Sequence, residues 1–421
     1  MTLKVARTIA IGVSAVLISA CGGGGGGSAS TASAPSTASA PTTASAPTTA
    51  SAPTAATPIP VQASSYLNKM AAAAAIGPQP LPSEVTQGNA VAFGDFFQDG
   101  TYSMVTATCA DTNCGGPGGN GTIHFYKLIS GQWVDHTSDI LSDNTGCDHP
   151  RKAIVADFNG SGKPGVFFAC HGVDSAPFAG EQPRILLPQA NGKYTNTLLP
   201  FTGYFHSASA ADFNGKGYAD IVVADPSVNK SPYFLVNNGD GTFTADKSVR
   251  LPATMLPYDP TTGAAQDNCI SAGCSAEIDT AELIDFSGTG KFDLFLGGRS
   301  LDPEGIGNWI PTIFHNQGNN TYSQSNVTTL PYSTTYQTAL DIVYTNNSIY
   351  LTNVQSMPNG SASIYGYSDI EKNSGTNFQT NATLWNGTAP FANSMTWINW
   401  IIPYQGKIDA MNSTYNVSVS Q

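Results

Sequence analysis

Four segments of the 421-residue chain align with one another: Ala92-Phe-Gly-Asp95-Phe-Phe-Gln-Asp99-Gly100, Val155-Ala-Asp157-Phe-Asn159-Gly-Ser161-Gly162, Ala211-Asp212-Phe-Asn214-Gly-Lys216-Gly217, and Ile284-Asp285-Phe-Ser287-Gly-Thr289-Gly290. Each follows a short apolar stretch and precedes a β-rich run such as Ile221-Val-Val-Ala, so each reads as strand, tight loop, strand. A second signature lies downstream of each, as in Phe234-Leu-Val-Asn-Asn-Gly-Asp-Gly-Thr-Phe243 and Ile313-Phe-His-Asn-Gln-Gly-Asn-Asn-Thr-Tyr322. This is a hairpin with a turn of Gly and Asn, which tolerate positive φ, closed by an aromatic residue. Two hairpins per unit make a four-stranded antiparallel blade. A fifth unit without the loop Asp begins at Thr338-Ala-Leu-Asp-Ile-Val-Tyr344, and Trp397-Ile-Asn-Trp-Ile-Ile402 with Tyr415-Asn-Val-Ser-Val419 starts a sixth. Consecutive units of this kind predict an all-β β-propeller of six or seven four-stranded blades, some degenerate; a β-sandwich or two small barrels is the alternative. Residues before Asn89 are candidates for a closing strand. Charged residues at 11%, against about 25% in ordinary domains, together with Gly 43 and Pro 27, exclude a helical bundle or coiled coil.

The units Asp-Phe-Asn-Gly-x-Gly and Asn-Asn-Gly-Asp-Gly-Thr-Phe resemble the FG-GAP and VCBS repeats of integrin-α-like propellers, across roughly residues 89–421 and most clearly in units two to four. The resemblance implies a Ca²⁺ loop with carboxylates at positions 1, 3, 5 and 9, an oxygen cage like that of an EF-hand. Every loop here departs from that pattern. The fourth fits best, with Asp285 and Asp293 assisted by Ser287 and Thr289; the first follows with Asp95 and Asp99. In the third, the ammonium of Lys216 is expected to take the cation's place between Asp212 and Asp220. The competing reading is that all four are structural turns held by Asp-to-backbone hydrogen bonds.

Residues 1–20 read as an export signal, with Lys4 and Arg7 before an apolar stretch, Ile9 to Ile18, too short to span a bilayer. Ile18-Ser19-Ala20-Cys21 resembles the lipobox of bacterial lipoproteins, which implies acylation of Cys21 and, with Gly22 following, sorting to the outer membrane; an ordinary signal peptide is the alternative. Residues 21–64 combine a Gly run with Thr-Ala-Ser-Ala-Pro repeats, and no charge occurs between Arg7 and Lys69. Such a tract buries too little to order itself and is expected to be an extended stalk, open to O-glycosylation. Residues 65–88 are expected to be a short helix over Ser65 to Ile76 and a lead-in.

Six cysteines remain after Cys21: Cys109, Cys114, Cys147, Cys170, Cys269 and Cys274. An even number in an exported chain points to disulfides, with zinc as the alternative. A propeller in which each first strand runs toward its Asp loop would bring Cys147 to Cys170 on the opposite face and place the other four there as two local pairs. That face also collects unusual polar residues around the axial mouth: His149, Arg151, His171, His206, Glu277, Asp279 and Arg299 as ligand-binding candidates, with Asp148, Asp174, Tyr204, Asp225, Asp302 and Trp309 nearby. Ordinary solvated loop residues are the alternative.

A net charge of -12 is the wrong sign for holding nucleic acid. Three function classes fit: a membrane-tethered binding or adhesion module for a glycan or protein; a polysaccharide lyase or hydrolase acting at the mouth; and a structural subunit of an envelope assembly. His149, His206, Glu277 and Arg151 would supply a base and an anion stabiliser for sugar chemistry. The chain carries no Gly-x-Ser-x-Gly, His-Glu-x-x-His or phosphate-loop motif.

Overall fold

The structure, a computed structural model, describes residues 56–82, 85, 90–109, 119–175, 177–227, 231–252, 276–300, 309–331, 333, 338–359, 362–387, 398, 400–411 and 416–421. The expected signal segment, Cys21, Cys114, Cys269, Cys274 and Asp302 lie outside the described residues.

The repeats fold as six antiparallel sheets. Blade one is β1 (Ala90–Gly94), β2 (Ser103–Ala107), β3 (Ile123–Ile129) and β4 (Gln132–Asp135), and the short helix α2 (Thr137–Ile140) follows it. Blade two is β5 (Pro150–Ala156), β6 (Gly165–Cys170), β7 (Arg184–Pro188) and β8 (Tyr194–Leu198). Blade three is β9 (Ser207–Ala211), β10 (Asp220–Ala224), β11 (Tyr233–Asn237) and β12 (Phe243–Asp246). Blade four is β13 (Ala276–Ile284), β14 (Asp293–Ser300), β15 (Thr312–Phe314) and β16 (Val327–Thr329). Blade five is β17 (Thr338–Thr345), β18 (Ser348–Asn359), β19 (Ala362–Ser374) and β20 (Thr380–Asn386). The sixth has three strands among the described residues, β21 (Ile401–Tyr404), β22 (Lys407–Met411) and β23 (Asn416–Ser420).

Burial follows radial position. The inner strands β2, β6, β9 and β10 are buried along their whole length, whereas the outer strands β4, β8 and β12 are largely exposed. An apolar cluster fills each interface between neighbours, for example Phe96, Phe125 and Phe168 between blades one and two, and Phe213, Phe292 and Phe314 between three and four. Phe93, Met104, Tyr126 and Ile402 close the ring between blades one and six, with Phe93 stacked on Trp400 at 5.2 Å. Among the described residues before Asn89, no strand joins these sheets, and the two blades meet there through hydrophobic contact.

Those residues supply a helix. The alanine-rich α1 (Ser65–Ile76) favours helix strongly, and Ser64 caps it by accepting from Leu67 N at 3.1 Å. It starts at the end of β9, where Ser64 bridges to Ala211, and ends with Gly77 (φ 62°) against the ring of Tyr404 at the end of β21. Those strands belong to blades three and six, opposite in the ring. About 18 Å long at 1.5 Å per residue, α1 crosses the axial channel at the Asp-loop end of the inner strands. Tyr66 Oη accepts from Tyr344 N at 2.7 Å, and Asn68 Nδ2 donates to Val155 O at 2.9 Å. The small residues of β9, Ser-Ala-Ser-Ala-Ala, leave room for it.

The channel is therefore a well floored by α1 at the Asp-loop end. Residues 56–64, assigned above to the end of the stalk, are fixed on the floor side: Asp95 Oδ2 accepts from Ile59 N at 2.9 Å, and Asp212 N donates to Ala63 O at 2.8 Å.

Candidate functional site

Inside the well, charges on mid-strand positions are paired. Lys69 of α1 bonds Asp341 at 2.5 Å and Lys152 bonds Glu282 at 2.7 Å, while Ser209 Oγ donates to the other Glu282 oxygen at 2.5 Å. Burial pulls the Lys69 ammonium below its usual range; for Lys152 the same burial is outweighed by Glu282 and Asp341, which raise it.

Above this layer three inner strands are irregular at the same level. Register shifts fall between Pro150 and Lys152 in β5, Ile278 and Thr280 in β13, and Ala339 and Asp341 in β17. A bulge leaves one residue unpaired and re-aims its side chain. The three bulge residues, Arg151, Asp279 and Leu340, line a single cavity of about 20 Å³ with His206, Lys152, Ser207 and Thr280, room for about one water.

The rim is set by the disulfide Cys147–Cys170, formed on this face as the propeller topology implied; zinc is not held by this pair. Cys109 is also disulfide-bonded. His149 and His171 stand beside the two bridged cysteines, and His171 N donates to His149 O at 2.9 Å. Glu181 holds the same loops together, accepting from the backbone N–H of Asp148, His149 and Gly172 at 3.0, 3.1 and 3.0 Å. Burial nonetheless raises its carboxyl above the usual range.

Three of the chain's six histidines meet here. The rings of His149 and His171 are 4.2 Å apart, His171 stacks on Tyr204 at 3.8 Å, and His206 lies 5.0 Å from His171. His171 Nδ1 donates to Gly172 O at 2.8 Å. A carbonyl only accepts, so Nε2 carries the lone pair, and Arg151 Nη2 donates to it at 3.0 Å. Arg151 also reaches Asp174 at 3.3 Å, Tyr204 Oη donates to Asp174, and His206 Nδ1 lies 3.1 Å from Asp279. Burial pushes His149 down to about 2 and His171 well below its usual value, with the Arg151 charge adding to both. These imidazoles are neutral at any physiological pH. At the rim, Phe178 is 39% exposed and packs edge-on to Tyr204 at 5.7 Å, presenting an open aromatic face.

Of the residues singled out from the sequence, His149, Arg151, His171, Asp174, Tyr204, His206 and Asp279 converge. Glu277 is half-buried and pairs through its backbone with Arg299, whose side chain lies outside the described residues. Asp225 is buried and accepts from Tyr204 N at 3.1 Å, supporting the rim from beneath. Trp309 belongs to the core, its indole bonded to Leu296 O at 3.0 Å. Phe178, Glu181, Lys152, Glu282 and Asp341 escaped the sequence reading. The last three carried a signal, a charge inside an apolar inner-strand pattern.

On the opposite face each loop Asp accepts backbone N–H groups with both oxygens. Asp285 takes Ser287 N, Thr289 N and Gly290 N at 3.2, 3.1 and 2.6 Å, and Asp157 and Asp212 do likewise. Paired glycines at positive φ, such as Gly288 at 66° and Gly290 at 76°, make this wrapping possible. Asp285, Ser287 and Thr289 still present a cluster of oxygens, with Ser287 Oγ 3.1 Å from Asp285 Oδ1 and 2.7 Å from Thr289 Oγ1. Asp293 faces away, bonded to His315 and Asn316. A cation bound by Asp285, Ser287 and Thr289 thus fits without Asp293. In the first loop Asp99 is paired with Lys127 at 2.7 Å. Lys216 lies over the Tyr218 ring instead of between Asp212 and Asp220, because Arg250 already holds Asp220 at 2.6 Å.

No family model matches the chain, and no curated protein matches it. Among solved structures, a protein from Lactobacillus plantarum is similar over 76% of this chain and 77% of its own, at 11% identity and a TM-score of 0.41. A polysaccharide lyase is similar over 79% and 78%, at 10% identity and a TM-score of 0.33. A mannose phosphorylase from Leishmania mexicana, in complex with phosphate, is similar over 77% and 93%, at 11% identity and a TM-score of 0.29.

Proposed function

We propose that this is an exported propeller of FG-GAP/VCBS-like repeats, lipid-attached at Cys21 to the bacterial outer membrane, that recognises a glycan at the mouth of its axial well. The observation that carries the reading is the set of three inner-strand bulges that aim Arg151, Asp279 and Leu340 at one cavity beside His206. Bulges gather where a strand must re-aim a side chain, and a ring needing only stability would keep these strands regular. The exposed Phe178 gives a sugar ring a stacking face, and Arg151, Asp174 and the Tyr204 hydroxyl give its hydroxyls or carboxylates directional partners. The chain enters the propeller on the floor side at residues 56–64, the end opposite the mouth.

Cleavage of the glycan is a second reading, favoured by the two imidazoles that burial keeps neutral next to a tyrosine hydroxyl and an arginine. The tyrosine hydroxyl is a proton donor and the arginine an anion stabiliser within one cluster, while the imidazoles, held so far below their ordinary value, accept hydrogen bonds rather than protons. A polysaccharide and host-glycan array probed with the exported chain and with His149→Gln/His206→Gln/Glu277→Gln tests the first reading. The triple variant loses the bound glycans if the mouth is the site, and unchanged binding discards it. New reducing ends or unsaturated products from the bound polysaccharide move the protein to the enzyme class.

We also propose that Ca²⁺ binds in the fourth loop through the Asp285 carboxylate and the hydroxyls of Ser287 and Thr289, with the first loop, Asp95 and Asp99, as the weaker candidate. The weaker rank follows from the Lys127 ammonium already on Asp99.

A further inference from the structure

We propose that His149, His171 and Asp174 form a binding site for one divalent transition metal ion of the zinc class. One ligand atom from each lies within 4.8 Å of the others. Tetrahedral coordination at about 2.1 Å sets ligand atoms roughly 3.4 Å apart, so small side-chain rotations close the site. Two neutral imidazoles and a carboxylate, with a water in the fourth position, are a ligand set zinc accepts.

Three independent observations point to an ion. His149 is 3% exposed, and neither ring nitrogen has a hydrogen-bond partner among the described residues. A buried imidazole left this way is costly unless something binds it. His171 already has the outer-shell bond of a metal ligand: Nδ1–H on the Gly172 carbonyl fixes the tautomer and turns the Nε2 lone pair into the cluster. The Cys147–Cys170 disulfide and the three Glu181 bonds hold the backbone on either side of both histidines, so the site is assembled before any ion arrives.

Arg151 is the competing cation. Its Nη2 sits 3.0 Å from His171 Nε2 and 3.3 Å from Asp174 Oδ2, two of the three ligand atoms' own residues. Metal uptake therefore requires the guanidinium to swing aside, and removing it strengthens binding. The surface pairs His124–Asp135 and His136–Asp139 are more exposed and have no third ligand among the described residues, so they serve as the comparison for adventitious uptake.

Titration calorimetry of the chelator-stripped exported chain with Zn²⁺, and absorption spectra with Co²⁺, test the site without any glycan readout, so its failure and failure of the glycan reading are separable. One ion per chain is expected, with the intense absorption of four-coordinate Co²⁺. His149→Gln weakens binding by more than the roughly 100-fold of a lost outer-shell partner, Arg151→Gln tightens it, and His124→Ala/His136→Ala leaves it unchanged. Asp174→Asn, at an exposed side chain, weakens binding with the fold intact and decides the matter if His149→Gln does not fold. Absence of saturable uptake, uptake unaffected by Asp174→Asn, or uptake lost in the surface double variant overturns the proposal.

Discussion

Acid should destabilise this protein through His149. Its folded-state value is pushed down to about 2 by burial and by the Arg151 and His206 charges, against an ordinary 6.5. Below pH 6.5 the unfolded chain takes up a proton that the folded chain refuses, so stability is present above that value and falls as the pH drops. At pH 4.5 the linkage costs about 1.36 kcal/mol for each of two pH units, or about 2.7 kcal/mol; at pH 6.5 about 0.4 kcal/mol has already gone. The net loss between them is about 2.3 kcal/mol from this residue, and any folded-state value below roughly 3.5 gives nearly the same figure. His149→Gln removes the group and leaves the other titrations common to both proteins. Urea unfolding followed by tryptophan fluorescence at pH 6.5 and 4.5 reads the difference: the parent should lose about 2 kcal/mol more than the variant. Equal losses would mean that His149 is protonated in the folded state, and the neutral-imidazole picture of the rim would fail with it.

Opening the disulfide is the second perturbation. With the cysteines 23 positions apart in sequence, Cys147→Ser/Cys170→Ser should cost roughly 3 kcal/mol on the loop-entropy scale, measured by chemical denaturation. On the floor of the well, Lys69→Met strands the buried Asp341 and should cost about 3 kcal/mol, part of which Lys69→Met/Asp341→Asn restores; an additive double variant would show the pair to be uncoupled. In the fourth loop, Asp285→Ala removes three backbone acceptor contacts and should lower stability by about 1 kcal/mol in chelator. Added Ca²⁺ should raise the melting temperature of the parent and not of this variant; a shift common to both would move the ion elsewhere.

Much of the architecture was legible because propeller loops use residues with a backbone reason to be there. Asp157-Phe-Asn-Gly-Ser-Gly162 marks a turn whose carboxylate wraps its own amides, and the motif recurs wherever that geometry recurs. The fifth blade was legible without its Asp from the apolar runs Thr338–Tyr344 and Ile349–Leu351, and Asn346 and Asn347, at φ of 50° and 52°, make the hairpin turn between them. The path of α1 was not legible. Alanines announce a helix, but its place across the channel depends on Tyr66 and Lys69 meeting blade five and Asn68 meeting blade two. At the site, Cys147 and Cys170 bracketed His149 and His171, so pairing the cysteines paired the histidines. The bulges went unread although the adjacent polar pairs Arg151-Lys152 and Asp279-Thr280 break strict alternation, and Trp309 reads the same in sequence whether it lines a mouth or fills a core.

Hydrogen exchange of the protein, with and without a polysaccharide identified on the array, tests the placement of the site most directly. Ligand should slow exchange in residues 148–151, 171–178 and 204–206 around the mouth and leave the Asp loops at 95–100, 157–162, 212–217 and 285–290 unchanged. Protection confined to those loops would put recognition on the floor side and contradict the account.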